Sequence, residues 1–180
     1  MKNQNTKKLA YAALFLALCL VLPMLTGQIP QIGSMLLPMH IPVLLCGLVC
    51  GWQYGAAVGF VAPLLRSVLF GMPPMYPVAI AMAFELLTYG LVIGLVYRRM
   101  AQKGAAGVYA ALLTAMVAGR LVWGVAEVVL LGLGGKAFTV QAFLAGALLN
   151  AVPGIIVQLV LIPAVMAALQ KAGAVKEYAE

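Results

Sequence analysis

Residues 38–70 read Pro-Met-His-Ile-Pro-Val-Leu-Leu-Cys-Gly-Leu-Val-Cys-Gly-Trp-Gln-Tyr-Gly-Ala-Ala-Val-Gly-Phe-Val-Ala-Pro-Leu-Leu-Arg-Ser-Val-Leu-Phe. The stretch is either one long kinked helix or two short ones, and the choice sets whether the chain crosses a bilayer five times or six. A crossing needs roughly 20 apolar residues for a hydrocarbon core about 30 Å thick. Residues 38–50 and 56–70 are apolar, and Gly51-Trp-Gln-Tyr-Gly55 between them forms a polar-aromatic break. Charge decides between the two readings. With six passes the N-terminus, the 98–104 connection and the C-terminus share one side. That side holds Lys2, Lys7, Lys8, Arg98, Arg99, Lys103, Lys171 and Lys176, against Lys136 alone opposite. Cytoplasmic loops carry such an excess of Lys and Arg. Five passes would split the basic clusters between the two sides.

The other crossings follow from apolar runs at 9–25, 78–97, 105–131 and 140–169, with Pro153 and Pro163 as expected kinks in the last. The expected architecture is one all-α integral membrane domain over residues 1–180. It has six transmembrane helices (9–25, 38–50, 56–70, 78–97, 105–131, 140–169), a short second helix and both termini cytoplasmic. The segment before the short helix should dip into the protein, since irregular backbone at membrane depth needs protein or water around it. Residues 71–77, Gly-Met-Pro-Pro-Met-Tyr-Pro, make a rigid turn.

Composition agrees. The chain is 65% hydrophobic and 8% charged with mean hydropathy +1.09, too few polar residues to cover a water-facing surface. The runs are continuous rather than alternating over ten residues, which excludes a barrel. The net charge of +7 sits at helix ends, so it points to membrane orientation and no nucleic-acid partner. Cys19, Cys46 and Cys50 match no metal spacing and read as inert thiols. Residues 23–28, Pro-Met-Leu-Thr-Gly-Gln, offer no small-residue cleavage site, so the first run is expected to be retained. Gly47, Gly51, Gly55 and Gly59, and again Gly90 and Gly94, recur every fourth residue, as closely packed membrane helices require. Ala13 and Ala17 give the first helix a similar smooth face, for packing or for another membrane subunit.

Four ionisable residues lie inside apolar runs: Arg66, Glu85, Arg120 and Glu127. A charge at the bilayer centre costs about 2.5–3.5 kcal/mol on insertion scales, so such groups usually face a pocket or pair with one another. Arg120 and Glu127 are seven apart and share a helix face. With His40, Asn150, Tyr76, Trp123 and Tyr89 they fall between mid-membrane and the outer side in the six-pass arrangement. The functional reading is a substrate-binding pocket for a small polar solute. The bland one is a set of structural pairs such as Arg66–Glu85 and Arg120–Glu127. Gln158 lies deeper and reads as packing.

No chemistry of bond making is visible. Gly135-Lys136 is followed by Ala137 with no phosphate loop, no Gly-x-Ser-x-Gly occurs, and the single histidine builds no metal pair. No enzyme activity, cofactor or metal is expected, and any active transport must draw its energy from a partner or an ion gradient.

Three stretches together resemble the substrate-binding (S) components of energy-coupling factor (ECF) transporters. They are Lys7-Lys-Leu-Ala-Tyr-Ala-Ala-Leu-Phe-Leu-Ala17, Met35-Leu-Leu-Pro-Met-His-Ile-Pro-Val-Leu-Leu-Cys-Gly47 with Gly51-Trp-Gln-Tyr-Gly-Ala-Ala-Val-Gly59, and Met72-Pro-Pro-Met-Tyr-Pro-Val-Ala-Ile-Ala-Met-Ala-Phe-Glu85. The resemblance implies a multi-pass protein of the bacterial cell membrane that captures a vitamin or related micronutrient from outside. The first outer loop would act as a gate. Ala13 and Ala17 would dock on a coupling membrane subunit that carries two ATPases, and the S component would topple to release its ligand inward. Substrate identity does not carry over, although paired Arg and Glu suit a ligand with an anionic group and hydrogen-bond donors. A stand-alone secondary carrier, which often shows an inverted repeat, and a structural membrane subunit are the alternatives.

Overall fold

The computed structural model describes residues 2–26, 35–100, 104–135, 139–146 and 150–173. Residues 27–34 of the outer loop 26–37 expected to act as a gate, residues 101–103 of the basic connection 98–104, and Lys136 and Lys176 lie outside the described residues. Among the described residues all regular structure is helical. Helix α1 is Lys2–Val21, continued by a tight 3₁₀ turn Leu22–Thr26. Then come α2, His40–Cys50; α3, Trp52–Phe70; a wide turn Met75–Ala79 leading into α4, Ile80–Met100; α5, Ala105–Leu133; α6, Val140–Leu144; and α7, Val152–Lys171. Five stretches are long and apolar enough to cross a membrane: Gln4–Leu25, Trp52–Phe70, Met75–Met100, Ala105–Leu133 and Val152–Lys171. Helix α2 has eleven residues and rises only about 16 Å, half of the hydrocarbon thickness.

The break at 51–55 is narrower than expected. Gly51 alone reverses the chain, at φ 99° and ψ 167°, where a side chain would be strained. Trp52 to Gly55 are already helical. That α2 and α3 form a hairpin follows from one approach. A Cβ on Gly55 would lie 2.7 Å from Gly47 Cα, whereas eight residues of continuous helix would hold them about 12 Å apart.

Helix α4 closes on this hairpin. The Gly90 carbonyl oxygen lies 2.7 Å from a Cβ built on Gly47 and 2.8 Å from one on Gly55. One turn to either side, Gly59 meets the backbone of Leu86, and a Cβ on Gly94 would be 2.5 Å from the Trp52 nitrogen. The fourfold glycine spacing is therefore intramolecular packing, except at Gly51, which serves the turn. Rung by rung, α3 runs antiparallel to α4 and α2 runs parallel to it. This register brings His40, at the start of α2, level with Glu85.

Nine of the eleven α2 residues are buried, so α2 is the interior helix and its neighbours wrap it. The core joins Leu44 and Leu48 of α2 to Leu86 and Ile93 of α4, Leu112 of α5 and Ile162 of α7. The outside of the bundle displays large apolar groups such as Val68, Leu121, Val125 and Val160, as a lipid-facing surface does. On α1, Ala12, Phe15 and Cys19 are buried while Ala13 and Ala17 are exposed.

The single helix expected at 140–169 is instead two, α6 and α7. Pro153 is the reason. It stands in the first turn of α7, where its missing N–H leaves no bond unmade, so it starts a helix rather than kinking one. Pro163 is the interior proline of α7.

Candidate functional site

Three helices deliver one polar cluster. Glu85, 1% exposed, projects from α4. Its Oε1 lies 3.0 Å from Nη1 of Arg120 on α5 and 3.4 Å from Nε2 of His40 on α2. Tyr89, one turn along α4 from Glu85, sets its ring edge-to-face against His40 with centroids 5.1 Å apart. The ring fits because Gly119 has no side chain; a Cβ there would be 2.8 Å from it. Trp123 covers the Arg120 guanidinium at 5.9 Å from ring centroid to Cζ, and stacks on Phe143 of α6 with centroids 6.1 Å apart. Gly124 and Gly146 make room for that stack: Cβ atoms there would fall 2.5 Å from Phe143 and 2.7 Å from Trp123. Short helix α6 thus backs the wall behind Arg120.

The cluster is polar, buried and incompletely bonded. His40 Nδ1 and Nε2, Glu85 Oε1, Arg120 Nε and Nη2, and Gln158 Nε2 are buried without a hydrogen-bond partner among the described residues. The two contacts to Glu85 Oε1 are within ion-pair reach, but their angles do not make hydrogen bonds. Each unsatisfied buried group costs about 1–3 kcal/mol. A set of side chains serving only to pair helices would be expected to use its donors and acceptors. This set leaves five such atoms, on His40, Glu85 and Arg120, without a hydrogen bond among the described residues.

The structure brings together His40, Glu85, Tyr89, Arg120 and Trp123. The pairs given as examples of the bland reading, Arg66–Glu85 and Arg120–Glu127, are not formed; Arg120 pairs with Glu85. Glu127 is buried on α5, two turns beyond Arg120, and joins no ion pair among the described residues. Arg66 is buried but belongs to a different place. Its Nη1 donates to the Leu20 carbonyl, and its guanidinium sits over Phe70 at 5.2 Å. In the tightened turn after α1 the i+3 donor to Leu20 would be Pro23, which has no N–H. Arg66 supplies that donor, and its positive charge suits a helix C-terminus.

Tyr76 is half exposed and donates its hydroxyl to the Leu130 carbonyl near the end of α5. Asn150 is exposed in the turn before α7, outside the cluster. Gln158, read from sequence as packing, is 1% exposed with its amide nitrogen unpartnered. The sequence signal was a lone amide in the middle of a 20-residue apolar helix. A groove between Phe84 of α4 and Leu121, Val125 and Val129 of α5 is apolar throughout and open to the lipid side, so it takes no part in polar recognition.

Compared with known proteins, the chain fits over residues 7–166 the family model described as ECF transporter, substrate-specific component. No curated protein and no solved structure matches it.

Proposed function

This chain belongs to the family of ECF transporter substrate-specific components, and on that premise we propose that the His40–Glu85–Arg120 pocket captures a vitamin or related micronutrient from outside the cell. The protein is a transport subunit and not an enzyme. The observation that carries the reading is the set of buried, unpartnered polar atoms on His40, Glu85 and Arg120, brought together from α2, α4 and α5 inside a bundle otherwise lined with apolar side chains.

The chain crosses the bacterial cell membrane six times with both termini cytoplasmic. Support comes from the hairpin at Gly51 and from the basic residues gathered at one set of helix ends. ECF S components work with a membrane coupling subunit and ATPase subunits. In this chain we assign the docking face to Ala13 and Ala17, which are exposed on α1, and the gate to the outer connection between α1 and α2. Energy comes from the two ATPases of the partner complex.

Native mass spectrometry of the purified protein, followed by identification of the small molecule it releases, tests the reading. A stoichiometric micronutrient that is lost in Glu85→Gln supports it. A released compound held equally well by Glu85→Gln would put the site elsewhere.

A further inference from the structure

We propose that the captured solute carries a carboxylate, and that the Nε–Nη2 edge of Arg120 receives it. The inference rests on the capture reading above and adds the chemical class of the ligand. A guanidinium is planar and presents its N–H groups along fixed edges. The Glu85 carboxylate occupies the Nη1 side at 3.0 Å, and Trp123 covers one face. The remaining edge, Nε and Nη2, is buried and makes no hydrogen bond among the described residues, with the Tyr89 side chain as the guanidinium's other neighbour. Those two N–H groups point the same way at the spacing of two carboxylate oxygens, the bidentate arrangement that arginine makes and lysine cannot.

His40, which meets the same Glu85 oxygen at 3.4 Å, fits the same ligand: it is 1% exposed and its ring carries at least one unpartnered donor. Unused donors therefore predominate, and the ligand must bring acceptors. Glu85 Oε1, buried without a hydrogen bond among the described residues, would take a hydroxyl or amide N–H from the same molecule.

Glu127 opposes an anion, but from two turns along α5, about 10 Å away. A carboxylate in the Arg120 fork would lie about 4 Å from the guanidinium centre. Because the energy falls as the inverse of distance, the attraction exceeds the Glu127 repulsion more than twofold; Glu85, on the Nη1 side at 3.0 Å, is a second and nearer anion, so the ligand carboxylate is held by the two hydrogen bonds of the fork rather than by net charge.

The test is equilibrium binding by thermal shift on the purified protein. The probes are matched pairs, nicotinate with nicotinamide, biotin with biotinamide and pantothenate with panthenol, plus any acid released from the denatured protein and its primary amide. The expected result is an acid that binds about 30-fold or more tighter than its neutral partner. Arg120→Gln should erase that preference. Arg120→Lys keeps the charge but not the fork, so the preference should survive with binding weakened about tenfold; this variant also serves if Arg120→Gln does not fold.

A neutral compound bound as tightly as its acid, or an acid bound equally by Arg120→Lys and the parent, overturns the carboxylate inference and leaves capture intact. A protein that releases nothing and responds to no probe overturns the capture reading, and this inference with it.

Discussion

Nη1 of Arg120 lies 3.0 Å from Oε1 of Glu85, and this contact joins α5 to α4 at the only level where α2 also contributes a polar side chain, His40. Removing either member leaves a buried charge uncompensated, which costs about 3–5 kcal/mol. Glu85→Gln and Arg120→Gln should therefore each lower the unfolding temperature in detergent, and the double variant should recover most of the loss. Tight binding of the acid should be lost in all three. Restoration of binding together with stability in the double variant would show that the pair is only structural.

Arg66 gives the opposite pattern. It bonds the Leu20 carbonyl and not Glu85. Arg66→Gln should lose a charge-assisted hydrogen bond worth about 2 kcal/mol, while the dissociation constant for ligand stays within about threefold of the parent. Titration of ligand into the purified variant measures it. A hundredfold loss would return Arg66 to the binding site.

The glycine ladder predicts position-specific intolerance. A Cβ on Gly90 would press into the backbone of Gly55, whereas one on Gly132 meets nothing within 4 Å. Gly90→Ala should cost at least about 2 kcal/mol. Gly132→Ala, in the same membrane domain, should be neutral or slightly stabilising, by up to about 1 kcal/mol. Comparing their thermal stabilities separates close backbone packing from a general preference for small residues in membrane helices.

Ala13 and Ala17 are exposed on α1, away from the cluster. Replacing both with tryptophan should abolish uptake in cells that carry the coupling and ATPase subunits. Binding to the isolated protein should remain at the parent level. Loss of binding in the isolated protein would mean that this face packs internally.

The apolar runs made the crossing segments legible, and the spacing of Gly47, Gly55, Gly59, Gly90 and Gly94 announced close packing before any partner was known. The pairing of charges was not legible. Periodicity places Arg120 and Glu127 on one face of α5, but it does not say which helix that face meets. The glycine register sets that instead, by bringing α4 and α2 level at Glu85 and His40. Arg66 was misplaced because its true partner is a backbone carbonyl left without a donor by Pro23, and a carbonyl has no letter in a sequence. Pro153 misled for a related reason: a missing N–H can bend a helix or begin one, and the residues around it do not distinguish the two.

The brevity of α2 has a geometric consequence. Its upper end is His40, yet α4 continues from Glu85 back to Ile80, about 7 Å further along the bundle axis. The interior helix thus stops short, and the chain that continues above it, where Leu37 and Met39 are buried, is not α-helical. One helical turn added ahead of His40 would lift those residues by about 5.4 Å while leaving Glu85 and Arg120 in place.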